Sequence, residues 1–390
     1  MIETAERGPL FAFAGGGTGG HLYPALALAR ALRDRVPGAR FLFIATARES
    51  DRRILSYAKV ECLAQPLRPL SARPSRWIGV LQGLRQAGRL CRDRFSADQP
   101  VVVVGTGGLA SIPAVRAAIR AGVPTAMLNP DATPGRANRY LAGRVGRILA
   151  QWDTTLAAVP RKARAKVVVA GCPVRPGFRN ADRNAGIKRF GLDPVCKTLL
   201  ITGASQGARS INQAVVAILD QIQAFDGWQV LHLTGHADLE AVEYAYRGRR
   251  LAHVVLPYSE DMPDALAAAD LVVARAGAST LAEITCVGRA SILMPYPHHR
   301  DQHQWANAGC LSRAGAARVL RDEADAGRNG AALWGMLRDI MQDDAARVSM
   351  AAAARQLGRP RAAGDIADHL VKWVAASSDH AWVDRVQAIC

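Results

Sequence analysis

The feature that most constrains this chain is the segment 11–32, where an apolar run passes through a glycine-rich turn into an amphipathic run. It reads FAFAGGGTGGHLYPALALARAL. This order predicts a strand, a loop and a helix. Glycines let a loop approach a ligand closely, and the unpaired N–H groups at a helix start attract anions. We therefore expect residues 16–20 to bind a phosphate group, with His21 at the mouth of the site.

The spacing of Gly15, Gly17 and Gly20 also occurs in dinucleotide-binding units. Those units carry an acidic residue at the end of their second strand. The second strand predicted here, 40–46, ends without one, and Glu49 lies further on in a polar loop. The loop therefore predicts a phosphate-bearing ligand and does not favour a nicotinamide cofactor.

The same architecture recurs half a chain later. Residues 199–219 read LLITGASQGARSINQAVVAIL, again a strand, a loop of small residues and a helix, with Ser205, Gln206 and Asn212 as possible hydrogen-bond donors. Ligands of open α/β sheets bind outside the carboxyl ends of the strands. Two such units facing each other would therefore place both loops on one cleft, where a phosphate-rich substrate could be held from both sides.

Strands and helices alternate along the rest of the chain, which predicts an α/β protein of two Rossmann-like, doubly wound domains. We place the first domain at 1–172 and the second at 173–364, joined by the proline-containing segment 172–177, and expect an apolar C-terminal helix, 365–390, to pack back on the first domain. The predicted strands are 10–14, 40–46, 101–105, 124–128, 147–150, 166–170, 198–202, 229–233, 253–256, 271–274 and 291–294. The predicted helices include 22–35, 76–92, 111–121, 209–224, 262–269, 279–287 and 302–314.

The composition is that of a globular protein, with 49% hydrophobic and 21% charged residues over 390 positions. No apolar run is long enough to span a membrane, and the N-terminal residues lack the pattern of a secretory signal, so we expect a cytoplasmic location. The seven cysteines form no C-x-x-C pair, which favours reduced thiols over disulfides or a metal site.

The formal net charge of +17 calls for an anionic partner. Nucleic acid is not favoured, because the chain has no basic tail, zinc-finger spacing or aromatic RNA-binding motif. Segment 68–94 interleaves arginines with Trp77, Ile78, Val80, Leu81 and Leu84. This pattern suits an anionic membrane surface. It is equally compatible with an ordinary amphipathic helix that has a solvated arginine face.

Two polar loops in the second half add to the nucleotide-binding pattern. Segment 274–283 joins a buried strand to a helix through small residues, and Glu283 could accept both hydroxyls of a ribose or could merely favour the helix dipole. Segment 295–307 contains His298, His299, Asp301 and His303, but it lacks an H-E-x-x-H pattern, so we expect no metal site. Asp301, Gln304 and Asn307 share a helical face suited to sugar hydroxyls.

Several longer motifs occur in a recognisable order between residues 15 and 310. They are G-G-T-G-G-H (16–21), G-T-G-G (105–108), P-G-x-x-N-R (134–139), G-x-P-V-R (171–175), G-x-S-Q-G-A-R-x-x-N (203–212), E-D-M (260–262), R-A-G-A-S-T-x-x-E (275–283) and P-Y-P…D-x-H-Q-x-x-N-A (295–308). In these motifs the chain resembles the MurG family, which are bacterial enzymes of glycosyltransferase family 28.

The resemblance implies a GT-B fold and a peripheral enzyme of peptidoglycan synthesis at the cytoplasmic face of the inner membrane. Such an enzyme transfers N-acetylglucosamine, with inversion, from its UDP donor to the 4-hydroxyl of undecaprenyl-pyrophosphoryl-N-acetylmuramoyl-pentapeptide. His21 would be the general base, as suits a group that titrates near neutral pH. No metal or other cofactor is implied, because helix N-termini and Arg175 can stabilise the departing UDP.

The resemblance also assigns the remaining site residues. The donor would be held by Arg175 and Ser205 at the diphosphate, Ser259 at the uracil, Glu283 at the ribose, and Gln304 and Asn307 at the transferred sugar. The acceptor pyrophosphate would be cradled by Gly16, Gly17, Thr18, Gly19, Gly20, Gly107 and Gly108.

The chain departs from the family in two loops of the acceptor half. Residues 128–131 are Leu-Asn-Pro-Asp where many members have H-E-Q-N, and Leu109 and Ile112 replace a tyrosine and a glycine. Asp131 thus puts a carboxylate near the sugar site, where it could share or take the proton of the attacking hydroxyl. A transferase for another lipid, such as diacylglycerol, or a noncatalytic nucleotide-sugar-binding protein at the membrane remain the alternatives.

Overall fold

The computed structural model describes residues 8–68, 77–203, 207–298 and 301–376. Contacts divide the chain into two units. Unit 1 comprises Met1–Arg175 and Arg361–Cys390, and unit 2 comprises Pro176–Pro360. The boundaries expected from the sequence, after residues 172 and 364, lie a few residues from these.

Unit 1 is built on a seven-stranded sheet in the order β3-β2-β1-β4-β5-β6-β7, in which all neighbouring strands are parallel. Its strands are β1 (Leu10–Gly15), β2 (Arg40–Thr46), β3 (Glu61–Gln65), β4 (Val102–Gly107), β5 (Thr125–Asn129), β6 (Arg147–Ala150) and β7 (Val167–Val169). Its first helices are α1 (Gly19–Arg35), α2 (Glu49–Tyr57), α3 (Trp77–Ala97), α4 (Ser111–Arg120), α5 (Arg136–Ala142) and α6 (Thr155–Ala158), followed by a 3-10 helix at Arg161–Lys166.

Unit 2 repeats the plan with a six-stranded parallel sheet in the order β10-β9-β8-β11-β12-β13. Its strands are β8 (Lys197–Thr202), β9 (Trp228–Leu233), β10 (His253–Leu256), β11 (Leu271–Ala274), β12 (Ala290–Leu293) and β13 (Ala317–Val319). A 3-10 helix at Pro176–Phe178 precedes helices α7 (Arg183–Phe190), α8 (Arg209–Val216), α9 (Leu219–Gln223), α10 (Leu239–Tyr246), α11 (Met262–Ala268), α12 (Ala278–Val287), α13 (His303–Arg313), α14 (Ala326–Gln342) and α15 (Asp344–Leu357).

Both sheets have the 3-2-1-4-5-6 order of Rossmann-like folds, so the predicted fold class is confirmed. In each unit the strand order reverses between the first and fourth strands of the sheet. Ligands of doubly wound sheets bind at this switch point, outside the carboxyl ends of the strands. The two glycine-rich loops of the sequence, after β1 and after β8, lie at these two points.

The last described helix, α16 (Ala362–Ala375), belongs to unit 1. Its residues Ile366 and Leu370 share a buried cluster with Phe11 and Phe13 of β1, and Arg35 of α1 forms an ion pair with its Asp368. Leu10, Ala12 and Ala14 point to the opposite face of the sheet, toward α3 and α4. This alternation buries both faces of β1, as its continuous apolar sequence predicts. Residues 377–390 of the predicted C-terminal helix lie outside the described residues.

The predicted elements differ from the structure in a few places. Strand β3 was not predicted, because it is largely exposed at the sheet edge and its sequence, ECLAQ, does not alternate. Strand β13 was also not predicted, because it has only three residues. The predicted helix 209–224 is divided into α8 and α9, and the predicted helix 76–92 continues to residue 97.

Candidate functional site

The glycine loop after β1 is held from below by the carboxylate of Asp51, which is fully buried in the first turn of α2. Its Oδ2 accepts hydrogen bonds from the backbone N–H of Gly17, at 2.8 Å, and from the hydroxyl of Thr46, at 2.5 Å. A side chain at Gly16 would place its Cβ 2.5 Å from the same oxygen. The exposed guanidinium of Arg48 donates to the carbonyl of Gly17 at 3.2 Å. The conformation of the loop is thus held by the buried carboxylate of Asp51, and the exposed guanidinium of Arg48 lies at its edge.

The loop in turn orients His21, which lies half-buried in the first turn of α1. The Nδ1 atom of His21 is 2.9 Å from the carbonyl oxygen of Gly16. A carbonyl can only accept a hydrogen bond, so Nδ1 carries the proton in the neutral ring and Nε2 has the lone pair. The ring is therefore held as the tautomer that a general base needs.

Gly107, which ends β4, and the following Gly108 make room for this ring. A Cβ at Gly107 would lie 2.7 Å from Cδ2 and 2.8 Å from Nε2 of His21. A Cβ at Gly108 would lie 2.8 Å from the carbonyl oxygen of Gly16, and both glycines have positive φ angles, of 116° and 73°. The structure thus gives these glycines a role beyond the expected phosphate cradle, because any side chain there would displace His21 or its carbonyl partner.

Asp131 follows β5 in a loop fixed by two buried asparagines. Asn129 donates through Nδ2 to the carbonyl of Asp131, at 2.9 Å, and to the hydroxyl of Thr155, at 3.0 Å. Asn138 donates to the carbonyl of Leu128 and to Oδ1 of Asn129. The asparagine of the P-G-x-x-N-R motif therefore organises the loop in which the chain departs from its family.

A small open pocket lies beside this loop and the start of α1. It is lined by Gly20, Pro24, Thr106, Leu128, Pro130, Leu149 and residues 171–173. Leu128 and Pro130 occupy two of the positions where many family members have His and Gln. Leu128 and Pro130 thus give the pocket apolar walls beside the start of α1.

Arg175 is the last residue of unit 1, and its guanidinium carbon lies 5.3 Å from the centre of the Tyr23 ring. Tyr23 belongs to the second turn of α1, and its ring edge would lie 3.0 Å from a Cβ at Gly19. The structure thus describes Arg175 beside the helix that carries His21. Its expected contact with the donor diphosphate is not tested by this arrangement.

In unit 2, the motif that begins at residue 203 continues into a buried network. Asn212 donates through Nδ2 to the carbonyl of Thr234 and to Asp238, both at 2.8 Å, so its Oδ1 accepts from Nε2 of His232 at 3.0 Å. The hydroxyl of Tyr246 is 3.2 Å from Nδ1 of His232. Burial lowers the pKa of His232 to about 3, so the ring is neutral. Asn212 therefore anchors the loop after β9. Ser205, the diphosphate candidate of the same motif, lies outside the described residues.

Of two other donor candidates, Ser259 follows the end of β10 and Glu283 lies within α12. The hydroxyl of Ser259, between β10 and α11, accepts a hydrogen bond from the backbone N–H of Asp261 at 3.0 Å. Glu283 is half-buried in α12, between fully or largely buried neighbours. Burial and the nearby charge of Glu283 raise the pKa of the Cys286 thiol to about 11. The hydroxyl of Ser259 is thus bonded within its own loop. This arrangement is compatible with a contact between the backbone at Ser259 and the uracil.

The expected sugar-binding residues, Gln304 and Asn307, both lie on α13 and contact neighbouring loops. Gln304 accepts through Oε1 from the backbone N–H of Tyr296 at 2.9 Å. Asn307 is fully buried and donates to the carbonyl of Ala276 at 3.2 Å, which ties α13 to the loop before α12. His303 pairs with Asp301 at 2.7 Å. Across the described ranges, no group of three or more His, Cys, Asp or Glu side chains could hold a metal ion.

The sequence analysis missed the buried acids that support these loops. Asp51 follows β2 by five residues, where only Glu49 was considered, and its position in the first turn of a helix beside β1 was the available indication. Asp322, which follows β13, is paired with Arg275 of the R-A-G-A-S-T motif at 2.8 Å. Nothing local in the sequence links these two residues.

The chain matches the glycosyltransferase family 28 N-terminal domain over residues 11–150 and the family 28 C-terminal domain over residues 198–366. It is 40% identical to a protein of Moorella thermoacetica, over 92% of this chain and 98% of that protein. It is 37% identical to one of Desulfitobacterium hafniense, over 94% and 98%. Both relatives are named UDP-N-acetylglucosamine–N-acetylmuramyl-(pentapeptide) pyrophosphoryl-undecaprenol N-acetylglucosamine transferase.

Solved structures agree in fold. The crystal structure of Acinetobacter baumannii MurG superposes with a TM-score of 0.73 at 24% identity, covering 93% of this chain and 99% of that one. A UDP-GlcNAc 2-epimerase of Neisseria meningitidis bound to UDP-GlcNAc gives a TM-score of 0.66 at 14% identity, covering 93% and 100%. The family resemblance expected from the motifs is thus confirmed, and the chain belongs to glycosyltransferase family 28.

Proposed function

We propose that this chain is a hexosyltransferase that moves N-acetylglucosamine from UDP-N-acetylglucosamine to undecaprenyl-pyrophosphoryl-N-acetylmuramoyl-pentapeptide in peptidoglycan synthesis. The observation that carries the proposal is family membership over nearly the whole chain, with relatives of this activity at up to 40% identity. The orientation of His21 and the loops of both units are compatible with it.

The proposed reaction is an inverting displacement. The 4-hydroxyl oxygen of the acceptor sugar attacks the anomeric carbon of the donor, the bond from that carbon to the diphosphate oxygen breaks, and UDP leaves with the bonding electrons. Nε2 of His21 accepts the hydroxyl proton, because Nδ1 is already engaged with the carbonyl of Gly16. The acceptor pyrophosphate is assigned to the loop 16–20, although the N–H of Gly17 is already bonded to Asp51.

The donor is assigned to residues of unit 2 and to Arg175, the last residue of unit 1 before it. Glu283 on α12 accepts the ribose hydroxyls, the backbone near Ser259 meets the uracil, and Arg175 and Ser205 meet the diphosphate. The N-termini of α8 and α12 carry the positive ends of helix dipoles, which favour the charge that develops on the departing UDP. The sugar contacts proposed for α13 belong to Gln304 and Asn307, and Asn307 also holds the loop before α12 through its bond to Ala276. No metal is needed in this scheme.

A donor screen tests the proposal. Purified protein is incubated with radiolabelled UDP-N-acetylglucosamine, UDP-glucose or UDP-galactose and with a bacterial membrane lipid extract. We expect label in the pyrophosphoryl-undecaprenol fraction from UDP-N-acetylglucosamine alone. Label in a diacylglycerol fraction would favour the alternative lipid acceptor, and donor binding without any transfer would favour a noncatalytic role.

We further propose that unit 1 binds the anionic cytoplasmic face of the inner membrane through the start of α3. Trp77, Ile78 and Leu81 are exposed there by 58%, 67% and 54%, and Arg85 and Arg89 follow on exposed positions of the same helix. Apolar side chains next to cations suit an interfacial helix. None of the helices in the described ranges combines the length and apolarity needed to cross a bilayer. Residues 69–76 of the predicted membrane segment lie outside the described residues.

Co-sedimentation with vesicles containing anionic lipid tests this membrane proposal. Changing Arg73, Arg76, Arg85 and Arg89 to Gln should reduce the bound fraction, and added salt should weaken binding of the parent protein by screening. A control with Arg30, Arg53, Arg116 and Arg120 changed to Gln removes the same number of charges from exposed positions of α1, α2 and α4 of the same unit. Equal losses in both variants would indicate a non-specific effect of net charge.

A further inference from the structure

An ion pair that the proposed function does not use lies buried in unit 2. Nη1 of Arg275 is 2.8 Å from Oδ2 of Asp322, and the two side chains are only 11% and 1% exposed. Arg275 directly follows β11 and precedes the small-residue loop that begins α12, whereas Asp322 follows β13. A buried ion pair seldom adds net stability over apolar packing, and one use of such pairs is to fix geometry.

The pair extends to the start of α8 through Ser210. Nη2 of Arg275 donates to the hydroxyl oxygen of Ser210 at 2.7 Å, and the hydroxyl donates to Oδ2 of Asp322 at 2.5 Å. Ser210 is the second residue of α8. The three side chains close a triangle of hydrogen bonds that connects the N-terminus of α8 with the strand end that leads into α12.

Further hydrogen bonds hold this triangle in place. Nη1 of Arg275 also donates to the carbonyl of Met294, just after β12, at 2.9 Å. Oδ1 of Asp322 accepts from Nδ2 of Asn329 and from the backbone N–H of Ala324, both at 2.9 Å. Burial acts to raise the pKa of Asp322, but the hydrogen bonds from Ser210, Ala324, Arg275 and Asn329 outweigh it and leave the pKa below its usual value. The carboxylate is therefore charged at neutral pH.

We propose that Arg275, Ser210 and Asp322 form a positioning triad that fixes the N-termini of α8 and α12 relative to each other for the donor diphosphate. This inference rests on the proposed function, in which both N-termini face that diphosphate. We assign Arg275 to positioning and not to phosphate binding, because Nη1 and Nη2 both donate to protein oxygens and the side chain is only 11% exposed. Small displacements of the groups that bind a ligand lower its affinity, so the side chains that hold those groups in place affect binding without touching the ligand.

Ser210→Ala is the most selective test, because it removes the bridge to α8 and leaves the Arg275–Asp322 pair. The full-length protein is titrated with UDP by calorimetry, and its thermal unfolding is followed in parallel. We expect a 5- to 30-fold weaker UDP affinity with little change in unfolding temperature, and near-parental affinity in Ser210→Thr, which keeps the hydroxyl. Arg275→Lys should also weaken UDP binding, because an ammonium group does not reproduce the bidentate contacts that a guanidinium makes through its two terminal nitrogens.

Ser291→Ala provides a matched control. Ser291 is fully buried in β12 of the same unit, and its hydroxyl has no hydrogen-bond partner in the described part of the chain. The Ser291→Ala variant should bind UDP with the affinity of the parent protein. UDP affinities within twofold of the parent in both Ser210→Ala and Arg275→Lys would overturn the inference while leaving the proposed function intact. A parent protein that does not bind UDP at all would instead overturn the proposed function and, with it, the inference.

Discussion

Replacing Asp51 by Ala tests whether the glycine loop of unit 1 depends on its buried carboxylate. The change removes the hydrogen bonds from Gly17, Thr46 and Ser50, but only the bond from Gly17 holds the loop that carries the carbonyl partner of His21. A hydrogen bond to a charged group contributes about 1.5–3 kcal/mol. Since 1.4 kcal/mol corresponds to about a tenfold change in an equilibrium constant, the constant that favours a correctly held His21 should fall roughly 10- to 100-fold.

Steady-state kinetics with the lipid acceptor measure this effect. We expect kcat/KM for the acceptor to fall by about the same 10- to 100-fold, while the Kd for UDP stays at the parental value because the donor residues belong largely to unit 2. Asp51→Asn keeps an oxygen that can accept from Gly17 and should be milder. Asp93→Ala, at an exposed position of α3, controls for loss of charge.

Two results would refute this reasoning. A kcat/KM within twofold of the parent would mean that the loop keeps its shape without Asp51. A loss of UDP affinity in step with activity would mean that the variant merely lowers the amount of folded protein. Thermal unfolding of the same samples separates the second result from a local effect.

Three further predictions concern single side chains. Glu283→Ala should weaken UDP and UDP-N-acetylglucosamine equally by about 2–4 kcal/mol, because both share the ribose; unchanged calorimetric affinity would exclude this contact. His21→Ala should lower kcat about 10²–10⁴-fold with donor affinity intact, whereas Asp131→Asn should change acceptor KM more than kcat; the reverse ranking would make Asp131 the base. Burial lowers the pKa of His232 to about 3, so below pH 6.5 the unfolded chain binds a proton that the folded chain does not. The stability of unit 2 should therefore fall by about 1.4 kcal/mol per pH unit between pH 6 and 4, and urea unfolding of His232→Gln should lack this part of the slope.

The fold was largely predictable because its determinants are local. Continuous apolar runs such as 101–104 become the buried central strands, and each glycine-rich turn follows the first strand of its sheet. Strand β3 was missed because a mostly exposed edge strand needs little apolar sequence. Its position is determined by pairing with β2, and a single sequence does not encode that pairing in any periodic pattern.

The site was predictable only in part. The motifs indicate which side chains are involved, but the contacts that determine what each one does join distant positions. Asn307, which stays a predicted sugar contact, also donates to the carbonyl of Ala276, 31 residues away. Arg275 finds its partner 47 residues away at Asp322. The tautomer of His21 follows from a carbonyl that no side-chain pattern reveals.

A common physical requirement explains why both units place an acid near a glycine-rich loop. Glycine lowers the steric barrier to loop formation but raises the entropy lost on ordering, so a loop that must be ordered before its ligand arrives needs an anchor. Asp51 and Asp322 are such anchors, but a bare carboxylate would repel a diphosphate. An arginine lies near each of these two carboxylates. Arg275 is buried in its ion pair and serves the protein alone, whereas Arg48 is exposed at the loop and remains accessible to an anion there.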